Sequence, residues 1–223
     1  MKKEVCNLLE TGKNVFLTGG AGVGKTTITL EVIKYFESEA KKVAKLASTA
    51  MAATLVGGQT LHSFFDFGLA SNMSELEKST KLEPKKKIKK LINSIDLLVI
   101  DEISMVSAQL IEMIAFRLEQ SDFSGVILSV GDFLQLPPVA KGYDRVGFAF
   151  ESLSWREFAF EVVELTHVYR TDDQNFIELL HRVRFGEIDE ATHNQLNDFI
   201  KPLPQDFSGF TFLFGKNISA AKH

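Results

Sequence analysis

The chain has 223 residues, enough for one large domain, with 45% hydrophobic and 24% charged residues, ordinary values for a globular protein. No apolar run reaches the roughly 18 residues that cross a bilayer, and Met1–Cys6 leads into no apolar leader segment, so neither a membrane span nor secretion is expected. Cys6 is the only cysteine, which excludes an internal disulfide and a cysteine-rich zinc site, and makes the cytoplasm the expected compartment. A net charge of −4 argues against nucleic-acid binding by the whole surface; any such contact must come from a local groove.

Short apolar runs alternate with helical patterns, which predicts a largely parallel sheet flanked by crossover helices. The first predicted strand, Asn14–Thr18, runs into a glycine-rich loop and a helix over Lys25–Glu37. A second strand, Val43–Ala47, precedes a block of small residues and then His62, Phe64, Phe65 and Phe67. The polar stretch Ser71–Lys90 ends in Lys81, Lys85, Lys86, Lys87, Lys89 and Lys90, which reads either as a solvated helix face or as a phosphate-contacting patch. Further strands are predicted at Leu97–Ile100, Val126–Val130, Val162–Leu165 and Gly209–Phe214. These runs are continuously apolar rather than alternating, as in strands buried on both faces. Helices are predicted at Ser107–Glu119, Asp173–Phe185 and Asp189–Ile200. In the second of these, Phe176, Ile177, Leu180 and Val183 share a face and Gly186 supplies the stop; Pro202 closes the third.

Three strand ends carry chemistry. Gly19-Gly20-Ala21-Gly22-Val23-Gly24-Lys25-Thr26 fits the phosphate-loop pattern, and Thr27 follows it on the helix. Glycines let such a loop wrap a phosphate, backbone N–H groups and the helix N-terminus face the anion, Lys25 reaches the β- and γ-phosphates, and the Thr26 hydroxyl suits Mg²⁺. The strand before Asp101-Glu102 delivers two carboxylates to the edge where open α/β sheets bind ligands. Asp101 suits the metal and Glu102 a water. Past the next strand, Gly131-Asp132-Phe133-Leu134-Gln135-Leu136-Pro137-Pro138-Val139 reads as a turn, or as a segment that brings the Gln135 amide to the γ-phosphate or its water.

Taken in order, these elements resemble the Pif-type and RecD-type DNA helicases of superfamily one, the Pif branch more closely. Besides the phosphate loop, the resemblance rests on Leu46–Ala53 with Gly57–Phe64, on Asp101–Val106, on Asp122–Val126, on Gly131–Val139, and on Glu164–Arg170 with Phe176 and Arg184-Phe185-Gly186. Ala50 stands where the family usually has glycine, Thr171 where it often has glutamine, and the family's adenine-reading segment is not recognisable in Met1–Asn14.

The resemblance implies a RecA-like P-loop NTPase domain that uses ATP and Mg²⁺ and acts on single-stranded and forked or structured DNA, in repair, replication or recombination, as a monomer. It implies catalytic roles for Lys25, Asp101, Glu102, Gln135 and Arg170, with Arg170 at the γ-phosphate. Nucleotide contacts would come from Gly20, Ala21, Gly22, Val23, Gly24, Lys25, Thr26 and Thr27, and metal contacts from Thr26 and Asp101. DNA contacts are expected from Ser48, Thr49, Ala50, Met51, His62 and Phe64, the two aromatic rings by stacking. Residues 1–208 would form the first motor domain and 209–223 the truncated start of a second, leaving one wall of an interdomain cleft and no unwinding by this piece alone. A strand-separating pin would lie in Ser71–Lys90 or Ala140–Gly147. Other readings of the residues are a P-loop ATPase that remodels protein without DNA and a domain that binds nucleotide without hydrolysing it.

Overall fold

The computed structural model describes residues 1–139, 146–200 and 212. The chain runs through α1 (Lys2–Glu10), β1 (Val15–Gly19), α2 (Lys25–Ser38), β2 (Val43–Ala47), α3 (Ala50–Leu55), β3 (Gln59–Thr60), α4 (Leu61–Phe64), α5 (Met73–Glu77), α6 (Lys86–Asn93) and β4 (Leu97–Asp101). It continues through α7 (Ala108–Glu119), β5 (Val126–Gly131), α8 (Leu153–Glu157), β6 (Glu161–Leu165), α9 (Gln174–Phe185) and α10 (Glu190–Asn197). The six strands pair in the order β3-β2-β4-β5-β1-β6, all parallel. The predicted strand Gly209–Phe214, the expected second-domain start and most of the Ala140–Gly147 pin candidate lie outside the described residues.

Side chains alternate across each strand, so one apolar run feeds two cores. Phe16, Leu46, Leu98, Ile100 and Ile127 enter the larger core with α4, α6 and α7, while Val15, Leu17, Leu97, Val99, Leu128 and Val130 enter the other with α1 and α2. Burial on both faces explains the unbroken runs. Along the central strands β1, β4 and β5 it leaves the strand ends as the main places where the sheet meets polar chemistry, while the edge strand β6 keeps Glu161, Val162 and Glu164 exposed. Because every strand is parallel, Gly19, Ala47, Asp101, Gly131 and Leu165 all finish at one edge.

Helix ends follow local capping rules. Ser107 and Asp173, predicted inside their helices, instead cap them: their side chains accept from Leu110 N–H and Phe176 N–H. Gly186 ends α9 with φ 73°, a left-handed stop. The predicted apolar stripe of α9 is only partly buried. The helix buries Leu179, which is outside that stripe, while Leu180 and Val183 are each 42% exposed. The helix lies at the margin of the sheet, where one narrow seam is covered and the next stripe faces a hollow beside Asp132 and Phe185.

Residues 61–95 form an insertion whose irregular path is held by one buried cation. Arg117 of α7 is fully buried; its guanidinium donates to the carbonyls of Lys81 (2.6 Å) and Leu82 (2.9 Å) and to Gln120 Oε1 (2.9 Å). It lies 5.4 Å from the centroid of the Phe67 ring. Burial depresses its pKa, opposed by the charges of Asp66 and Glu83. Truncation would take the partner from two part-buried carbonyls and leave a cavity. We expect Arg117→Ala to lower the free energy of unfolding by about 3 kcal/mol, measured by urea denaturation.

Candidate nucleotide site and adjoining groove

The loop after β1 carries the strongest local constraints. Gly19 has φ 142°, and a Cβ there would strike the Leu165 carbonyl of the neighbouring strand. Gly22 has φ 77°, and a Cβ there would stand 2.7 Å from Arg170 Cβ. Only glycine fits both positions. Past Gly24, which is left-handed, α2 starts at Lys25, so its N-terminal amides open onto the loop. Lys25 Nζ donates to the carbonyls of Gly19 and Gly20, 2.8 Å each, folding the side chain back across the loop. Burial lowers the Lys25 pKa, while Asp132, Glu102 and Asp101 pull it upward.

A cleft of about 390 Å³ joins Ala21–Thr27 to Glu102, Gln135, Tyr169 and Arg170. Segments distant in sequence thus meet in one hollow. Tyr169 N–H donates to Gly22 O at 2.8 Å, which registers the segment after β6 on the loop and sets Arg170 against Gly22. Glu102 reaches the cleft because its backbone turns left-handed (φ 53°, ψ 50°), a conformation uncommon for a residue with a side chain. Asp101 stays behind it at the strand end, 8% exposed, its Oδ1 accepting from Glu102 N–H at 2.9 Å. Burial raises the Asp101 pKa, and Lys25 partly opposes this. Asp101 does not line the cleft itself. Its carboxylate and the Thr26 hydroxyl are both hard oxygen donors, the chemistry that suits Mg²⁺.

The loop after β5 holds residues that sequence reading did not single out. Asp132 is 2% exposed and accepts two parallel bonds from Arg184 of α9, Nε to Oδ2 and Nη2 to Oδ1, both 3.0 Å. It also accepts from Leu134 N–H (3.2 Å) and from Gln135 Nε2 (3.3 Å). With its amide nitrogen turned to the carboxylate, Gln135 presents its carbonyl oxygen elsewhere, as an acceptor. Phe133 anchors the loop against Phe16, Phe148, Phe150 and Trp155. For Asp132, burial alone would raise the pKa, but the bonds and charge of Arg184 outweigh it and the net shift is downward. An acid followed by three non-polar or amide residues gives no hint of an ion-pair partner 52 positions later.

Beside the nucleotide cleft, a second hollow of about 460 Å³ is lined by Ser48, Thr49, His62, Asn72, Met105 and Ser107 among others. Three of the expected DNA contacts meet there. The Ser48 hydroxyl donates to the Glu102 carbonyl at 3.3 Å, so this groove touches the carboxylate-bearing turn directly. Thr49 caps α3 by accepting from Ala52 N–H. Ala50 and Met51 start α3, the latter 77% exposed. Phe64 is a correction: it is 4% exposed and packs edge-on against Phe65, so its ring belongs to the core and offers no face to a base. Among the described residues, no helix is long and apolar enough to cross a membrane.

A parallel sheet with a phosphate loop, an acidic strand end and a neighbouring arginine in one cleft defines a RecA-like P-loop NTPase domain. The chain belongs to the PIF1-like helicase family, whose sequence profile matches residues 3–194. It is 45% identical to the ATP-dependent DNA helicase Pif1 of Campylobacter jejuni, over 79% of this chain and 42% of that one. With the Bdellovibrio bacteriovorus Pif1 it is 36% identical over 97% of this chain and 49% of the relative. The structure of Candida albicans Pif1 superposes with a TM-score of 0.79 at 33% identity, covering 92% of this chain and 48% of that one. Bacteroides Pif1 in complex with ADP-AlF3 and single-stranded DNA gives 0.79 at 28% identity, covering 93% and 51%. The chain thus spans about half the length of these relatives.

The Asp132–Arg184 pair has a pH signature. Its folded pKa is depressed, so its stabilisation is in place above the ordinary carboxylate value of 3.8 and fades as pH falls through the lower folded value. Asp132→Asn should therefore be less stable than the parent chain at pH 7, by about 2 kcal/mol. The gap should close on acidification below about pH 4, as read by thermal unfolding across pH.

Proposed function

We propose that this chain is the first motor domain of an ATP-dependent DNA helicase. It binds ATP with Mg²⁺ on the Gly19–Thr26 loop, and within the whole protein its hydrolysis drives movement along single-stranded DNA and duplex unwinding. The observation that carries this reading is the single cleft shared by the phosphate loop, Glu102, Gln135 and Arg170. The Bacteroides relative, which holds ADP-AlF3 and single-stranded DNA on a closely similar fold, supports it.

On this reading each residue has a role set by its chemistry. The loop amides and the α2 N-terminus bind the phosphate oxygens, and Lys25 exchanges its two loop carbonyls for the β- and γ-oxygens. Thr26 and Asp101 would hold Mg²⁺, which supplies charge neutralisation at those oxygens. Glu102 takes the proton of the attacking water. The Gln135 carbonyl, fixed by Asp132, accepts a hydrogen bond from that water, and Arg170 stabilises charge at the γ-phosphate. Single-stranded DNA lies in the Ser48–Ser107 groove, its phosphates on hydroxyls and amides and a base against His62. The Ser48–Glu102 bond then connects strand occupancy to the catalytic turn.

Nucleotide affinity of this chain, followed with a fluorescent ATP analogue, should fall about tenfold or more in Lys25→Ala. Unchanged affinity would defeat the proposal. In the full-length protein Glu102→Gln should keep nucleotide binding while kcat drops about 10²–10⁴-fold. Single-stranded DNA should stimulate the parent ATPase, and Ser48→Ala should weaken that stimulation with little change in the DNA-free rate. An ATPase indifferent to DNA would point instead to protein remodelling.

A further inference from the structure

Helix α6 carries a charge density that the nucleotide cleft and the DNA groove do not use. Five of the six residues Lys85–Lys90 are lysines, so the rest of the chain holds 20 basic residues against 29 acidic ones. The helix is pinned on its apolar side: Ile92 and Ile95 are buried and Ile88 packs on the larger core. The Asn93 amide donates to the Asp122 carbonyl at 2.9 Å, and the segment entering α6 is held by the buried Arg117. Lys85, Lys86, Lys87 and Lys90 are consequently displayed on a fixed, exposed surface. Lys89 reaches Glu83 at 3.6 Å; among the described residues no carboxylate lies within ion-pair distance of the other four.

The placement is unfavourable for the isolated chain. Lys85 occupies the cap position, and Lys86 and Lys87 the first turn, where the helix dipole disfavours cations, with no acidic residue in that turn and no side-chain cap. Lys86 and Lys90 stand as a like-charged pair one turn apart. An anionic partner would relieve both strains. We infer that this face binds the phosphate backbone of double-stranded DNA, as a contact separate from the single-strand groove. The patch has no aromatic residue between Lys81 and Ile95, so it lacks the stacking platform of a single-strand site. What remains is a row of point charges, matched best by the high linear charge density of a duplex. None of these lysines lines the nucleotide cleft, so a duplex held on them does not compete with nucleotide. The choice of nucleic acid over other polyanions rests on the helicase reading.

The test is fluorescence anisotropy of this 223-residue chain with labelled duplex DNA and, separately, oligo-dT, comparing the parent with Lys86→Glu/Lys87→Glu/Lys90→Glu. Duplex affinity at low salt should fall by about tenfold or more, and the slope of log affinity against log salt should shrink by about 3. Oligo-dT and nucleotide affinities should change less than about twofold. Duplex binding that is absent in the parent, or unchanged in the variant, overturns the assignment. So does a variant that loses binding only to phosphatidylserine vesicles, which would mark a membrane-facing patch. Loss of duplex binding alongside absent oligo-dT and nucleotide binding in the parent would uphold this surface while overturning the motor reading.

Discussion

Central strands covered on both faces leave their ends as the main polar outlet, and parallelism sends every carboxyl end to the same edge. That geometric constraint is what brings residues from positions 19 to 170 into one cleft. The phosphate loop continues β1, Glu102 continues β4, Gln135 continues β5 and Tyr169-Arg170 follows β6. No single contact assembles the site. The close fits at Gly19 and Gly22 then remove slack, because the loop is pressed against β6 and against Arg170 with no room for a methyl group.

The site is poised electrostatically rather than neutralised. Lys25 is depressed by burial and currently satisfied by two carbonyls; Asp101 is raised by burial; Asp132 is held ionised by Arg184. A triphosphate with a divalent cation would answer the first two departures at once, giving Lys25 an anion and Asp101 a counter-charge. The Asp132–Arg184 pair plays a different part. It is complete without ligand, and it ties α9 to the loop that carries Gln135, so helix position and amide orientation are mechanically joined.

Much of this was legible in the residues. Apolar runs gave β1, β2, β4, β5 and β6 to within a residue, since burial leaves a strong mark on composition, while the two-residue β3 left none, and the phosphate loop has few alternative explanations. The segment from α3 to α6 was opaque: its helices are short, and four to eight residues give about two turns of periodicity or less. Phe64 illustrates the limit of chemical type as a guide. Aromatic character suits a base or a core equally, and only the packing against Phe65 decides. The Asp132–Arg184 clamp and the Arg117 staple could not be read, because ion pairs and buried cations depend on distance in space and have no sequence period.

The Ser48–Glu102 contact has a consequence that follows from which atom is used. Ser48 donates to the main-chain carbonyl of Glu102, a residue that also lines the nucleotide cleft. On the proposed reading, strand sensing uses the main chain of this residue and chemistry its side chain. Replacing the acid alone would then leave the contact between groove and turn in place, because the main-chain carbonyl does not depend on the side chain beyond it.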